Sequence, residues 1–316
     1  MKHIGMPVSY LTADCIWNSF RSSGKRHLIL TGTRGRGKST LLKKLFPETL
    51  PGLTTWAERS QAVYLQEHLT GETAQVGVFD ETLPGPENRM ALLEEGFISL
   101  GVAALERCME SDSRWIAIDE IGYLEALCLP YGKALGKLLE KKQVAAVVRK
   151  QNLPFLEELC AREDAFVVDL DDPFGNMGCV IMASGLGRRF GGNKLMADFH
   201  GQPLIYRILD ATVGIFARRV VVTRHESVAA FCRTKNVDVV LHDLPHRSDT
   251  VRLGLEAIGD VERCMFCPGD QPMLRKETVA ALTLAAKKEK AEALCVLEEN
   301  LWHFSASQTP LGQDAS

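Results

Sequence analysis

The sequence predicts an α/β protein built from two domains, each a three-layer α/β/α sandwich. Short apolar runs alternate with segments of helical periodicity along most of the 316 residues. Strands that alternate with helices in this way are typical of a parallel sheet that carries helices on both faces. A chain of 316 residues also corresponds to about two domains of ~150 residues each.

The alternation is interrupted by a stretch of acidic residues, proline and glycine over residues 169–176. This composition is typical of a connection rather than of a strand or a helix. The expected limits are 1–172 for the first domain, 173–177 for a linker and 178–316 for the second domain.

In the first domain, short apolar runs predict strands, and apolar residues three or four positions apart predict helices. A helix or arm is expected within residues 1–26, and hairpins or mobile loops are expected over 51–88. The expected strands are 28–30, 115–118, 144–148 and 165–168. One helix is expected to begin at residue 39, and three others are expected over 92–109, 133–142 and 153–162.

The second domain repeats the alternation with elements of similar length. Its expected strands are 179–182, 220–222, 237–241 and 264–267. Its expected helices are 203–213, 226–234, 250–258 and 276–288.

The composition argues against several classes of partner and environment. A net charge of -3 is too small for a protein that binds nucleic acid or a membrane surface through bulk charge. No apolar run approaches the roughly 18–20 residues that cross a bilayer. Nine scattered cysteines, an odd number, fit buried thiols in a reducing compartment. We therefore expect a cytoplasmic protein with neither nucleic acid nor membrane as a partner.

A glycine-rich loop follows the first predicted strand and opens a helix. It reads G-T-R-G-R-G-K-S over residues 32–39 and fulfils the pattern G-x-x-x-x-G-K-[ST]. The backbone N–H groups of such a loop form a cradle for phosphate, Lys38 bridges the β- and γ-phosphates, and the Ser39 hydroxyl holds Mg²⁺. The expected nucleotide-binding residues are Gly32, Thr33, Arg34, Gly35, Arg36, Gly37, Lys38, Ser39 and Thr40. The two arginines either stabilise phosphate charge or face water.

Two carboxylates end the next apolar strand of the first domain. Asp119 is expected to hold the metal, and Glu120 to orient or deprotonate the attacking water. The alternative is a solvated acidic strand end without a role in chemistry.

The run D-E-I-G-Y-L-E at residues 119–125, together with the loop and with G-L-T-T at 52–55, resembles the cancer-related or thermophilic nucleoside-triphosphatases. The resemblance covers about residues 25–170. It implies a RecA-like P-loop fold and slow, Mg²⁺-dependent hydrolysis of ATP, GTP and similar triphosphates. The sequence departs from the family at residues 62–65, so base and sugar contacts there are not carried over.

A second glycine-rich loop follows the first strand of the second domain. Its spacing, G-x-G-x-x-x-G, differs from the dinucleotide fingerprint, and no acidic residue ends a second strand at the required distance. The loop also contains cations, Arg189 and Lys194, which suit a triphosphate that is attacked at its α-phosphorus. A dehydrogenase is therefore disfavoured.

Further polar residues of the second domain lie near predicted strand and helix ends. Asp270 follows an apolar strand and would meet ligand and Mg²⁺ at the edge of the sheet. Ser248 and Thr250 lie in a polar turn that either contacts nucleotide or caps a helix.

The ordered strings A-x-G-x-x-x-R-x-G-x-x-K, S-x-T-x-x-x-G-L and G-D-Q-P resemble the MobA-like nucleotidyltransferases of molybdenum cofactor synthesis, over about residues 178–282. The sequence is more similar to the cytidylyltransferases than to the guanylyltransferases of that group. The resemblance implies a Rossmann-like, GT-A-type fold that transfers CMP from CTP to molybdopterin and releases pyrophosphate. A molybdenum hydroxylase apoenzyme is an implied partner. The implied site residues are Ala183, Gly185, Gly187, Arg189, Lys194, Ser248 and Thr250 for nucleotide and Asp270 for Mg²⁺.

The sequence contains no counterpart of the Gly-Asp segment that this family carries late in its second half. We therefore expect a second domain that is incomplete at its C-terminus, and impaired transfer. Two alternatives remain open. Either the C-terminal half is a vestigial nucleotide-binding module beside an active triphosphatase, or the P-loop domain is a non-hydrolysing switch that regulates or delivers cofactor.

Overall fold

The computed structural model describes residues 11–58, 61–83, 89–187, 191–288, 293–297 and 300–304. Residues 16–173 form one compact unit, and the chain from Phe174 onward, together with residues 11–15, forms the other. The exact domain limits given above stay a prediction.

The first unit is built on one mixed sheet of eight strands. Its strands are β1 (His27–Thr31), β2 (Gly52–Glu58), β3 (Ala62–Glu67), β4 (Thr73–Phe79), β5 (Met90–Leu92), β6 (Trp115–Ile121), β7 (Gln143–Val148) and β8 (Ala165–Asp169). The helices that precede or connect them are α1 (Ala13–Ser22), α2 (Lys38–Leu45), α3 (Glu94–Gly96), a π-helical segment (Phe97–Val102), α4 (Ala103–Glu110), α5 (Tyr123–Leu127), α6 (Leu129–Lys141) and α7 (Pro154–Ala161).

The strand order is β5-β4-β3-β2-β6-β7-β1-β8. The five strands from β2 to β8 in this order pair in parallel, which confirms the predicted α/β class. The carboxyl ends of β1, β6, β7 and β8 therefore meet at one edge of the sheet, with β7 between β1 and β6.

Of the two alternatives expected over 51–88, hairpins or mobile loops, the described residues form hairpins. Strands β2 to β5 extend the sheet by antiparallel pairing. In β3, burial alternates, and Val63, Leu65 and Glu67 point inward. A buried glutamate at the third inward position hid this strand from a search for apolar runs.

A continuous apolar core lies between this sheet and its helices. Leu65, Phe97, Leu105, Ile116 and Tyr131 are almost completely buried within it. Burial of each such side chain contributes about 1.5–3 kcal/mol. The core fixes the strands whose ends carry the polar residues described below.

The second unit contains a parallel four-stranded sheet with the order β13-β12-β9-β14. The strands of the whole unit, inside and outside this sheet, are β9 (Met177–Ala183), β10 (Asp198–Phe199), β11 (Gln202–Pro203), β12 (Arg218–Thr223), β13 (Asp238–Leu241), β14 (Arg263–Pro268), β15 (Ala293–Leu297) and β16 (Asn300–Phe304). Its helices are α8 (Ile205–Thr212), α9 (Glu226–Thr234), α10 (Arg247–Ile258) and α11 (Lys276–Lys288), with a 3₁₀ turn over Lys194–Met196.

The strand order of this unit reverses at β9, because the chain goes from β9 to β12 on one side and later to β14 on the other. In open α/β sheets, a crevice forms at the carboxyl ends of the strands beside such a reversal. Strands β10 with β11 and β15 with β16 form two separate antiparallel pairs. Across the described part of the chain, no helix combines the length and apolar character needed to span a bilayer.

An ion pair attaches the antiparallel extension of the first unit to α4. The fully buried Glu67 accepts hydrogen bonds from Arg107 Nε at 2.8 Å, from Arg107 Nη2, and from the Thr70 hydroxyl at 2.9 Å. These bonds, those of Arg107 first, lower the pKa of Glu67, although burial acts in the opposite direction.

We predict that Arg107→Ala lowers the free energy of unfolding by about 1–3 kcal/mol at pH 7, because it leaves a buried carboxylate without its main donor. The folded-state pKa of Glu67 is depressed, so this contribution is present above its unfolded pKa of about 4.3 and disappears as the pH falls through the folded value. Denaturant unfolding at pH 7 and at pH 3 measures both effects, with Lys137→Ala, an exposed cation of α6, as control. An equal loss at both pH values would mean that the packing of Arg107, and not its charge, is responsible.

Candidate functional sites

The first site is the loop between β1 and α2. Gly35 and Gly37 adopt left-handed backbone angles, with φ values of 83° and 82°, that favour glycine. Helix α2 begins at Lys38, whose ammonium group donates to the carbonyl oxygens of Gly32 at 2.7 Å and Thr33 at 2.9 Å. These two hydrogen bonds connect the last part of the loop, at Lys38, to its first residues.

The structure brings the two predicted metal ligands of the first domain together. The Ser39 hydroxyl donates to Asp119 Oδ1 at 2.7 Å, from the first turn of α2 to β6. A hydroxyl and a buried carboxylate are oxygen ligands that suit Mg²⁺. Within the described residues, no group of three or more His, Cys, Asp or Glu residues could hold a metal.

Glu120 has an uncommon backbone conformation for a residue other than glycine. Its φ is 98°, and the pairing of β6 with β7 shifts register between Asp119 and Ile121. Glu120 is therefore the extra residue of a bulge, and such bulges often redirect a side chain beside an active site. Its carboxylate forms an ion pair with Arg149, which follows β7.

The turn after Glu120 is fixed by a buried acid. Glu125, only 2% exposed, accepts a hydrogen bond from the backbone N–H of Gly122 at 2.8 Å. Burial raises the pKa of Glu125. This residue is the last acid of the D-E-I-G-x-x-E run, and it anchors the start of α5 rather than facing the loop edge.

Asp171 belongs to the site although the sequence analysis did not single it out. Its carboxylate accepts bonds from the Thr33 N–H (2.8 Å), the Thr33 hydroxyl (2.8 Å), Arg36 Nε (2.7 Å) and Lys150 Nζ (3.3 Å). Burial favours a higher pKa for Asp171, but these donors together hold it well below its usual range. The signal available in the sequence was an acidic residue two positions after the apolar strand β8. The structure adds that β8 lies beside β1, the strand that leads into the loop.

The two loop arginines differ in their surroundings, and their role towards phosphate stays a prediction. Arg36 is turned to Asp171, whereas Arg34 is exposed. The surroundings at this edge of the sheet also change the pKa of Lys38. Burial lowers this pKa, and the negative charges of Glu120 and Asp171 oppose the change. The loop, Asp119, Glu120 and Asp171 therefore form one electrostatic unit.

The second site is a cleft of about 640 Å³ at the carboxyl ends of β9 and β14. The predicted residues that line it are Ala183, Gly185, Gly187, Lys194, Thr250 and Asp270. Lys194 Nζ lies 3.4 Å from Asp270 Oδ2, and both side chains are about half exposed. The cleft thus presents a cation and a carboxylate beside a glycine-rich loop, an arrangement suited to a polyphosphate with a divalent metal.

Two predicted residues of this site are not part of the described cleft. Arg189 lies outside the described residues. Ser248 is exposed and does not line the cleft. Residues 248–250 lie in the first turn of α10, which begins at Arg247 with His246 as its N-cap, and the Asp249 carboxylate caps this end by accepting a hydrogen bond from the His246 N–H at 3.0 Å.

Several polar residues of the cleft region were missed by the sequence analysis. Ser184 Oγ lies 2.8 Å from His242 Nε2, and Arg224, which lines the cleft, donates to the carbonyl of Leu244. Burial lowers the pKa of His242, and the Arg224 charge acts in the same direction. The run H-D-L-P-H-R after β13 was the available signal, since it also follows the carboxyl end of a parallel strand.

Comparison with known proteins assigns both halves of the chain. Residues 63–173 match the family described as NTPase, and residues 179–310 match the MobA-like NTP transferase domain. The chain joins an NTPase-family domain to a MobA-like NTP transferase domain. It is therefore an enzyme that combines a hydrolase-family part with a transferase-family part.

Curated relatives resemble one domain or the other. The nucleoside-triphosphatase THEP1 of Thermotoga maritima is 27% identical over 160 residues, which cover 46% of this chain and 86% of the relative. A 3-deoxy-manno-octulosonate cytidylyltransferase of Helicobacter pylori is 32% identical over 108 residues, or 33% of this chain. That alignment spans less than half of the cytidylyltransferase, at 44%. Among solved structures, THEP1 from Aquifex aeolicus aligns with 46% of this chain and 89% of its own, at 22% identity and a TM-score of 0.39.

The transferase loop offers a matched pair of glycine substitutions. Gly187 has a φ of 59°, and a Cβ there would lie 2.3 Å from the Gly192 carbonyl oxygen, whereas a Cβ at Gly185 would meet nothing within 4 Å. We predict that Gly187→Ala weakens nucleoside triphosphate binding by this domain about tenfold or more, equivalent to about 1.4 kcal/mol, and that Gly185→Ala has a smaller effect. Calorimetric titration in a Lys38→Ala background separates this site from the P-loop. Equal effects of the two variants would show that the loop shape does not control binding.

Proposed function

We propose that the NTPase domain hydrolyses nucleoside triphosphates, with ATP and GTP among its substrates, to the diphosphate and phosphate. The observation that carries this proposal is the Ser39–Asp119 pair next to the P-loop lysine, with Glu120 one residue further along β6. The similarity to a nucleoside-triphosphatase over 86% of that relative supports it.

In this proposal, Lys38 leaves the loop carbonyls and binds oxygens of the β- and γ-phosphates. Ser39 and Asp119 would hold Mg²⁺, which neutralises phosphate charge when it is bound. Glu120 takes a proton from a water molecule whose oxygen attacks the γ-phosphorus. The bond from this phosphorus to the β–γ bridging oxygen breaks, and its electron pair stays on the diphosphate.

We predict that Glu120→Gln lowers kcat for phosphate release by about 10²-fold or more and leaves triphosphate binding nearly unchanged, because the amide cannot accept the proton. Phosphate release and nucleotide titration measure the two quantities. Lys38→Ala should reduce both, and Glu158→Gln, an exposed acid of α7, should change neither. Nucleotide binding by the wild-type chain without any phosphate release would instead favour the non-hydrolysing switch.

For the second domain, we propose transfer of CMP from CTP to the phosphate of a molybdopterin-type acceptor. An acceptor phosphate oxygen attacks the α-phosphorus of CTP, the bond to the α–β bridging oxygen breaks, and pyrophosphate leaves. Lys194 would neutralise charge on the triphosphate, and Asp270 would hold Mg²⁺. The MobA-like domain supports this class of acceptor, and the similarity to a cytidylyltransferase supports CTP. A molybdenum hydroxylase apoenzyme would then receive the product.

We predict that Asp270→Asn lowers the rate of CTP-dependent pyrophosphate release by about 10²-fold, because it removes the charge that would hold the metal. The assay supplies CTP with molybdopterin, and in a parallel reaction with 3-deoxy-manno-octulosonate. Asp210→Asn, an exposed acid of α8, is the matched control. Release only with the sugar acid would replace the proposed acceptor, and unchanged release by Asp270→Asn would remove the role of this residue.

A further inference from the structure

The order of the strands places one residue between the P-loop and the acidic strand. Strand β7 lies between β1, which ends at the loop, and β6, which carries Asp119 and Glu120. Arg149 is the first residue after β7, and its backbone N–H donates to the carbonyl of Ile121 at 2.9 Å. A side chain leaving the sheet here emerges between the phosphate cradle and Glu120.

The Arg149 side chain is paired with Glu120. The guanidinium Nε donates to Glu120 Oε1, with the side chains 40% and 26% exposed. A carboxylate that is to accept a proton from water is here neutralised by a cation. The pair is reachable by solvent, so a stronger anion could compete for the guanidinium.

Two local features make this pairing possible. The positive φ of Glu120 turns its side chain out of the strand ladder. Gly122 leaves room for the arginine stem, because a Cβ at this position would lie 2.9 Å from Arg149 Cδ. The backbone at these two positions therefore accommodates the observed pairing.

We propose that Arg149 is a positioning residue that senses the γ-phosphate and controls Glu120. Without nucleotide it holds the Glu120 carboxylate. When a triphosphate occupies the loop, the guanidinium moves to oxygens of the γ-phosphate, which carry more charge than a carboxylate and match its planar fork. Glu120 is then released to contact the attacking water. This proposal rests on the proposed triphosphatase activity.

The movement gives Arg149 two effects on the same reaction. It withholds the base when no substrate is present, and it adds positive charge where the equatorial oxygens of the transferred phosphoryl group gain negative charge. The first effect is confined to the chain without substrate, so it does not enter kcat. The second effect acts on kcat more than on ground-state binding, because it strengthens as charge develops on the phosphoryl oxygens and because Lys38 and the loop amides already hold the nucleotide.

The test compares Arg149→Ala and Arg149→Lys with wild type in phosphate release and nucleotide binding. We expect Arg149→Ala to lower kcat by about 10²-fold or more while KM changes less than about threefold. Added guanidinium ion should restore part of the kcat of Arg149→Ala but none of the kcat of Glu120→Gln. Arg149→Lys should be intermediate, and Arg162→Ala, which removes another paired arginine of the same domain, should match wild type.

A second variant keeps the proposal testable if Arg149→Ala does not fold. Gly122→Ala retains both charged residues and displaces the arginine stem, so it should also lower kcat and leave binding intact. Wild-type protein without any hydrolysis would overturn the proposed triphosphatase. Hydrolysis that depends on Lys38 but is unchanged in Arg149→Ala, or a loss that guanidinium does not relieve, would overturn only the role of Arg149.

Discussion

Compensation of clustered positive charge is the constraint on which the first site depends. Four cations converge where parallel strands end, and each has an internal acceptor. These cations are Arg36, Lys38, Arg149 and Lys150. Without acceptors they would repel one another at an edge that the apolar core holds rigid. Carboxylates and loop carbonyls therefore balance these cations within the chain.

This arrangement explains why the edge contains more carboxylates than metal binding alone requires. Asp119 faces Ser39, whereas Asp171 serves Arg36 and the first turn of the loop. Removal of one partner from such a network leaves a charge that is only partly solvated, which is more unfavourable than the mean value of an exposed ion pair suggests. The network therefore both shapes the loop and keeps it available for an anion.

In the second site, fewer charged groups compensate one another. Its described ion pair, between Lys194 and Asp270, is about half exposed on both sides. Exposed pairs of this kind contribute about 0–1 kcal/mol, so a triphosphate with a metal can separate them easily. The backbone conformation at Gly187 therefore contributes more to the shape of this site than the ion pair does. The two candidate sites are thus organised in different ways, one by a charge network and the other by a backbone loop beside an open cleft.

Local sequence was sufficient for the loops and for the parallel strands other than β2. Glycines at fixed spacing, a lysine at a helix start and acids after apolar strands depend on interactions within a few residues, and they could be predicted without knowledge of the fold. The individual strands β2 to β5 were not assigned within the expected hairpins, because the inward positions of β2 and β3 include Thr55 and Glu67, whose burial depends on partners distant in the sequence.

The α/β class could be predicted from the alternation of apolar runs and helical segments, and short motifs were enough to predict the two glycine-rich loops with Lys38, Asp119 and Asp270. The contact of Asp171 with the P-loop and the pairing of Arg149 with Glu120 became evident only in the folded chain. Strand order places these residues, which are far apart along the chain, at one edge. No local pattern encodes which strands are neighbours, because that choice depends on how the whole sheet packs against its helices.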